Sequence, residues 1–198
     1  MYKISLDFQN LYRAVLDNDR DTVRNAARSN PTLFLGQDSN GATLAHLAAF
    51  KGRSECLDII AQLGSPFVCN KGARPFTPAI LAAEQGHPEC LEILARQAPD
   101  CLGIPNDHDG STPAFMAAQN NCPGYLAAIA QTDPKYLIIP RKDGTTPAFK
   151  AAEKGHARCL QVFAEHAVAS LRTALPCGAT PAFAAAQDGH LDCLQVIA

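Results

Sequence analysis

The sequence predicts an all-α fold: a solenoid of about six stacked helix-turn-helix pairs with projecting finger loops, the last pair cut short. Three observations predict it. A Thr-Pro-Ala-x tetrad recurs every 34 or 35 residues at Thr77, Thr112, Thr146 and Thr180, with a weaker copy at Thr43-Leu44-Ala45-His46. Nine positions after each Thr stands Gly52, Gly86, Asn121, Gly155 or Gly189, and thirteen after it stands Cys56, Cys90, Tyr125, Cys159 or Cys193. The apolar residues after that mark recur at helical spacing, as in Cys90-Leu91-Ile93-Leu94 and Cys159-Leu160-Val162-Phe163. A period of this length means units that cannot cover their own apolar faces and bury them by stacking.

Each element follows from local chemistry. The first unit, near Phe8 to Ala27, is expected to cap the array, with Asp17, Asp19, Arg20, Asp21 and Arg24 on its outside. In it Leu11, Asp19 and Val23 take the places of Leu44, Gly52 and Cys56, 33 residues earlier. In the later units Thr can cap the first helix by accepting from a free first-turn amide, and the Pro after it has a preset φ and no N–H to leave unpaired. Ala-Ala pairs such as Ala82-Ala83 and Ala151-Ala152 let a neighbouring helix approach. The Gly or Asn that follows is expected to turn left-handed and end the helix. The second helix then presents Cys-Leu and further apolar residues along one face. Gly41, Gly110, Gly144 and Gly178, each two places before a Thr, belong to turns, whereas the third loop has Pro75 in that place. These limits give a capping repeat over 1–37 and repeats over about 38–70, 71–106, 107–140, 141–174 and 175–198, the last incomplete. Because Leu194 and Ile197 face where another unit would lie, the array is expected to continue beyond Ala198.

Composition narrows the function classes. Of 198 residues, 47% are apolar, 18% charged and 7% aromatic, with a formal net charge of −2, so the chain can bury a core. No run of about 18 uncharged apolar residues occurs, so membrane insertion is not expected. Met1 to Phe8 lacks the apolar stretch of a secretory signal, which suggests a cytoplasmic protein with free thiols. A pI near 6.3 with mixed charges gives no basic stripe for nucleic acid.

Chemistry-bearing motifs are weak. Cys56, Cys90, Cys159 and Cys193 share one repeat position, and stacked helices lie about 8–10 Å apart whereas a disulfide needs Cα atoms within about 7 Å. Core thiols are therefore expected. His87 with Cys90, His156 with Cys159 and His190 with Cys193 have a metal-edge spacing, but each pair sits in a different unit, and helix-starting histidines are the simpler reading. Cys69, Cys101, Cys122 and Cys177 fall in loops or at a helix start, where free thiols are expected. No phosphate loop, dinucleotide fingerprint, nucleophile elbow or His-Glu-x-x-His is present. Asp107-His108-Asp109 looks like a small acid-base cluster, yet turn roles explain its carboxylates. No catalytic, cofactor or metal residue is assigned.

The motifs together resemble the ankyrin-repeat family, whose unit reads roughly Asp-x-x-Gly-x-Thr-Pro-Leu-His-x-Ala-Ala-x-x-Gly-His. The resemblance covers about residues 8 to 198. It implies a stack of helix pairs that binds another protein on the concave face formed by fingers and first helices, without enzymatic activity. Two departures stand out. The tetrad His of the family has become Ile80, Phe115, Phe149 or Phe183, and the Leu before it has become Ala, which reads as a volume exchange within one core layer. The Thr-Pro-Ala-Phe and Gly-His-x-x-Cys-Leu style is similar to ankyrin effectors that intracellular bacterial pathogens deliver into host cytoplasm. Carried over by position, the family's recognition sites give Phe50, Lys51, Arg74, Phe76, Glu84, Gln85, His108, Asp109, Gln119, Asn120, Lys142, Glu153 and Lys154. Phe50 and Phe76 stand where polar residues are usual. They form either an exposed hot spot beside Lys51 and Arg74 or an apolar pair buried by the irregular 65–76 loop. The resemblance implies a monomeric scaffold for a partner protein. The rival reading is a targeting module of a larger enzyme whose catalytic domain lies beyond residue 198.

Overall fold

The structure is a computed structural model that describes residues 6–71 and 75–198. Arg74, expected in the binding strip, lies outside the described residues. The chain divides into two compact units, Met1–Ile104 and Pro105–Ala198. Among the described residues there is no strand, and a single isolated bridge joins Gln37 to Thr43.

The first unit contains α1 (Leu6–Leu16), α2 (Arg20–Ser29), α3 (Leu44–Lys51), α4 (Ser54–Ala61), the short α5 (Ser65–Val68), α6 (Pro78–Gln85) and α7 (Pro88–Gln97), with 3-10 turns at Pro31–Leu35 and Pro99–Gly103. α3 packs between α1 and α6, while α4 packs between α2 and α7. Three hairpins therefore lie in register. Leu44, Leu57, Ile60, Ile80, Leu91 and Leu94 are among the large side chains wholly buried in this unit. Each such burial contributes about 1.5–3 kcal/mol. Alanines Ala45, Ala48, Ala79 and Ala82, also at zero exposure, keep the first helices close.

The second unit repeats the scheme with α8 (Pro113–Gln119), α9 (Pro123–Thr132), α10 (Pro147–Glu153), α11 (Ala157–His166), α12 (Pro181–Gln187) and α13 (Leu191–Ile197), and 3-10 turns at Pro134–Leu137 and Val168–Arg172. α10 packs between α8 and α12, and α11 between α9 and α13. Phe115, Leu126, Ile129, Leu137, Leu160 and Phe163 fill this core.

The tetrads do what their chemistry requires. Oγ1 of Thr77, Thr112, Thr146 and Thr180 accepts the N–H three residues on, at 3.3, 3.2, 3.1 and 3.2 Å. Thr43 is held differently. Its N–H donates to Nδ1 of His46 at 3.2 Å, which leaves Nε2–H of the same buried ring to donate to the carbonyl of Phe76 at 2.9 Å. The helix-ending residues are left-handed, with φ of 66° at Gly52, 78° at Gly86, 57° at Asn121, 74° at Gly155 and 76° at Gly189.

Three expectations are corrected. In the first hairpin the left-handed residue is Asn18, φ 58°, and not Asp19. Asp19 instead caps α2, accepting from the N–H and hydroxyl of Thr22 at 3.1 and 2.6 Å. The period to Gly52 is thus 34 residues, the same as to the next unit, because Asn tolerates the left-handed well while Asp is the better N-cap. The large residues at the fourth tetrad position do not form one core layer. Ile80 and Phe115 are buried, Phe149 is half-buried and Phe183 is 58% exposed, because burial at this position depends on a further helix pair packing over it and none does so on α12 among the described residues. Finally, Cys69 and Cys101 are not free thiols but a disulfide, with Cα atoms 4.9 Å apart, between the end of α5 and the 3-10 turn after α7. Both lie in connectors, so the spacing argument that keeps the helix-two cysteines apart does not apply to them.

Candidate interaction surface

In three hairpins, the carbonyl two residues before the left-handed turn is held by a histidine of the next hairpin. The carbonyl of Phe50, at the end of α3, accepts from Nε2 of His87, the N-cap of α7, at 3.2 Å. Equivalent bonds join Nε2 of His156 to the Gln119 carbonyl and Nε2 of His190 to the Glu153 carbonyl, both at 3.1 Å. The histidines are thus staples from one hairpin to the one before it. No group of three or more His, Cys, Asp or Glu side chains is arranged to hold a metal among the described residues.

Phe50 is 42% exposed, and Nζ of Lys51 lies 5.2 Å from its ring centroid. A cation over an aromatic face is an amphipathic patch in water. Phe76 is half-buried, with its carbonyl tied to His46, so the pair splits between the two readings of the sequence. Glu84 and Gln85 are exposed at the end of α6, which packs beside α3 and so brings them level with Phe50 and Lys51.

In the second unit Asn120 and Lys154 are exposed and Gln119 and Glu153 half-buried, at the ends of α8 and α10. The Glu153 carboxylate takes Lys150 Nζ at 2.7 Å. The finger residues are occupied too. Asp109 pairs with Arg141 at 2.7 Å and accepts the N–H of Ser111 at 2.9 Å. Burial would raise its carboxyl, but the bonds from Ser111 and Asn106 and the Arg141 charge bring it below the usual carboxylate range. Lys142 donates its N–H to the Asp109 carbonyl at 2.9 Å, and its Nζ to the carbonyls of Asp107 and His108. The Asp107-His108-Asp109 run is therefore a turn stitched to the next finger, from which the side chain of His108 stays exposed.

Sequence reasoning missed a second feature of the first unit, on its second-helix face. A groove of about 390 Å³ runs between Arg20 and Arg24 of α2, Asp58 and Ile59 of α4, and Glu89 and Glu92 of α7. Its signal in the sequence was charge at helical spacing on the second helices, which reads as an ordinary solvated face.

The chain matches the family described as ankyrin repeats (3 copies) over residues 11–101, 46–135 and 125–198. No curated protein matches it. Among solved structures it is similar to the ankyrin repeat protein EF0377, at 17% identity and a TM-score of 0.83 over 99% of this chain and 98% of that one. It is similar to the ankyrin repeat domain of Bcl-3, described as a unique member of the IkappaB family, at 19% identity and a TM-score of 0.74 over 88% and 76%. It also resembles a chain in the structure of the Bd0816 predatory endopeptidase of Bdellovibrio bacteriovorus in complex with immunity protein Bd3460, at 20% identity and a TM-score of 0.74 over 94% and 95%. At these identities the likeness is one of fold.

Proposed function

Because the chain belongs to the ankyrin-repeat family, we propose that it is a protein-binding scaffold that grips a partner protein through the ends of its first helices and their finger loops. Phe50 carries this reading. A large aromatic ring held in water, on a helix end whose backbone is pinned by His87, pays little entropy when a partner covers it. Lys51, Glu84 and Gln85 provide the polar rim that surrounds such anchors. The structure of an endopeptidase with an immunity protein shows a chain of this fold in a protein complex, which supports the same mode of action here.

The test is affinity capture with wild type and with Phe50→Ala, each followed by mass spectrometry and by urea unfolding. Phe50→Ala is expected to weaken capture of the wild-type partner by about thirtyfold, the size of a hot-spot loss near 2 kcal/mol, with stability changed by less than about 0.5 kcal/mol. Undiminished capture, or a loss of fold matching the loss of binding, would refute the proposal.

A further inference from the structure

We propose that Cys69 and Cys101 form a reversible exchange site, a covalent clip in the first unit that small-molecule thiols and disulfides of the glutathione type open and close through Cys69. Four observations carry it. Cys69 closes α5, where its N–H donates to the Ser65 carbonyl at 2.8 Å, and Cys101 sits in a 3-10 turn, its N–H on the Ala98 carbonyl at 3.0 Å. Each cysteine is thus placed by its own local backbone bonds. Val68 and Leu102, the neighbours of the two cysteines, are wholly buried and anchor the segments. The sulfur positions therefore do not depend on the bond between them, and the pair can open without unfolding its surroundings. Third, the two partners differ in access: Cys69 is half-buried and Cys101 has zero exposure, so a small disulfide or thiol reaches one sulfur only. Fourth, Cys56, Cys90, Cys159 and Cys193 are buried in helix-two cores, where burial pushes the first three thiols up to about 11, 12 and 12, and they do not compete as nucleophiles.

The chemistry balances with glutathione disulfide as oxidant. The Cys69 thiolate attacks one sulfur of it, forming a Cys69–glutathione bond and releasing one glutathione thiol. The Cys101 thiolate then attacks Cys69 Sγ, breaks that bond and expels the second. Two protein thiols are oxidised, one small disulfide is reduced, and the two protons end on the two released thiols. Opening is the reverse, with glutathione attacking Cys69 Sγ and Cys101 leaving. The closed clip ties the connector after α4 to the connector after α7 across a sequence separation of 32 residues.

Cys177 is an exposed free thiol and Cys122 a half-buried one, so the experiment is a titration of the folded protein carrying Cys122→Ser and Cys177→Ser across glutathione ratios, quenched by alkylation and read by mass spectrometry, with circular dichroism on the same samples. The expected result is one two-electron transition confined to Cys69 and Cys101, with helicity retained on both sides of it. Cys101→Ser should leave Cys69 to take up one glutathionyl group, while Cys69→Ser should leave Cys101 unmodified until denaturant is added. A pair that stays oxidised or stays reduced at every ratio, a loss of helicity that tracks reduction, or equal reactivity of the two single variants would each overturn the proposal. None of these readouts involves a partner protein, so the scaffold reading and this one fail separately.

Discussion

The turn at the end of a first helix is filled in two chemical ways where a neighbouring hairpin reaches it, whereas at Gly86 and Gly189 the space beside the glycine is open. Where the left-handed residue is Gly52 or Gly155, the space that a Cβ would fill is taken by the ring of His87 or His190, with nearest atoms at 2.6 and 2.7 Å. Where it is Asn18 or Asn121, the side-chain oxygen accepts the thiol of the next helix two, Cys56 at 3.4 Å and Cys159 at 3.7 Å. Asn121 does this while His156 still bonds the Gln119 carbonyl, so the ring has room to shift. At Gly155 the two kinds of replacement should therefore separate. Gly155→Ala keeps the strain of φ 74° and gains no partner, and should cost about 1–2 kcal/mol. Gly155→Asn places an acceptor opposite Cys193 in a conformation that Asn tolerates, and should cost about half of that or less. Urea midpoints of the two variants decide, and equal losses would mean that the Asn side chain contributes nothing to the turn. The demand for Gly or Asn here is legible in the sequence. The identity of the residue that fills the space is not, because it comes from the neighbouring hairpin about 35 positions away.

At the scale of the element, one tetrad position shows how little a residue type fixes by itself. Phe115 and Phe183 follow the same Thr-Pro-Ala and their amides donate to the same kind of cap, yet one ring is 1% exposed and the other 58%. The difference is the neighbour: α10 packs on α8, with Arg141 over the Phe115 ring at 5.0 Å, whereas among the described residues no later first helix packs on α12. Phe115→Ala should cost about 3–5 kcal/mol, as for a truncated core aromatic, and Phe183→Ala less than about 0.5 kcal/mol. The same helices predict a smaller, uniform effect at their caps. Thr112→Ala and Thr146→Ala each remove a buried acceptor from a first-turn N–H and should cost about 1 kcal/mol. Chemical denaturation of the four variants gives the ranking, and a Phe183→Ala loss near that of Phe115→Ala would mean that the ring is covered in solution. Helix boundaries, caps and hairpin order were readable from the tetrad and its period. The burial of each copy was not, since identical motifs differ only in what stacks upon them.

For the molecule as a whole, the eight cysteines divide by position, and the division could be foreseen only where the repeat governs it. Cys56, Cys90, Cys159 and Cys193 recur with the period and are buried as that period requires. Cys69 and Cys101 sit at unmatched places in two connectors, so nothing in the repetition relates them, and a compartment argument from composition pointed to free thiols instead. The buried thiols have a consequence for stability at alkaline pH. Burial holds Cys56 near 11 and Cys90 and Cys159 near 12, against an ordinary value of 9.0. The folded chain keeps protons there that the unfolded chain releases. A raised folded value means stability that is fully present below about pH 9 and is lost as the pH climbs toward 11–12, by about 1.4 kcal/mol per pH unit for each thiol. Other groups titrate in the same range, so the informative quantity is a difference of slopes. Between pH 9 and pH 10.5, measured without metal or oxidant, wild type should lose stability more steeply than Cys90→Ala, and more steeply than Cys159→Ala, each by about one thiol's share. The substitutions leave small cavities that shift the curves down at every pH, but a cavity has no proton to release. Parallel curves would therefore show that the thiols ionise as readily inside the fold as outside it, and that the packing around helix two admits water.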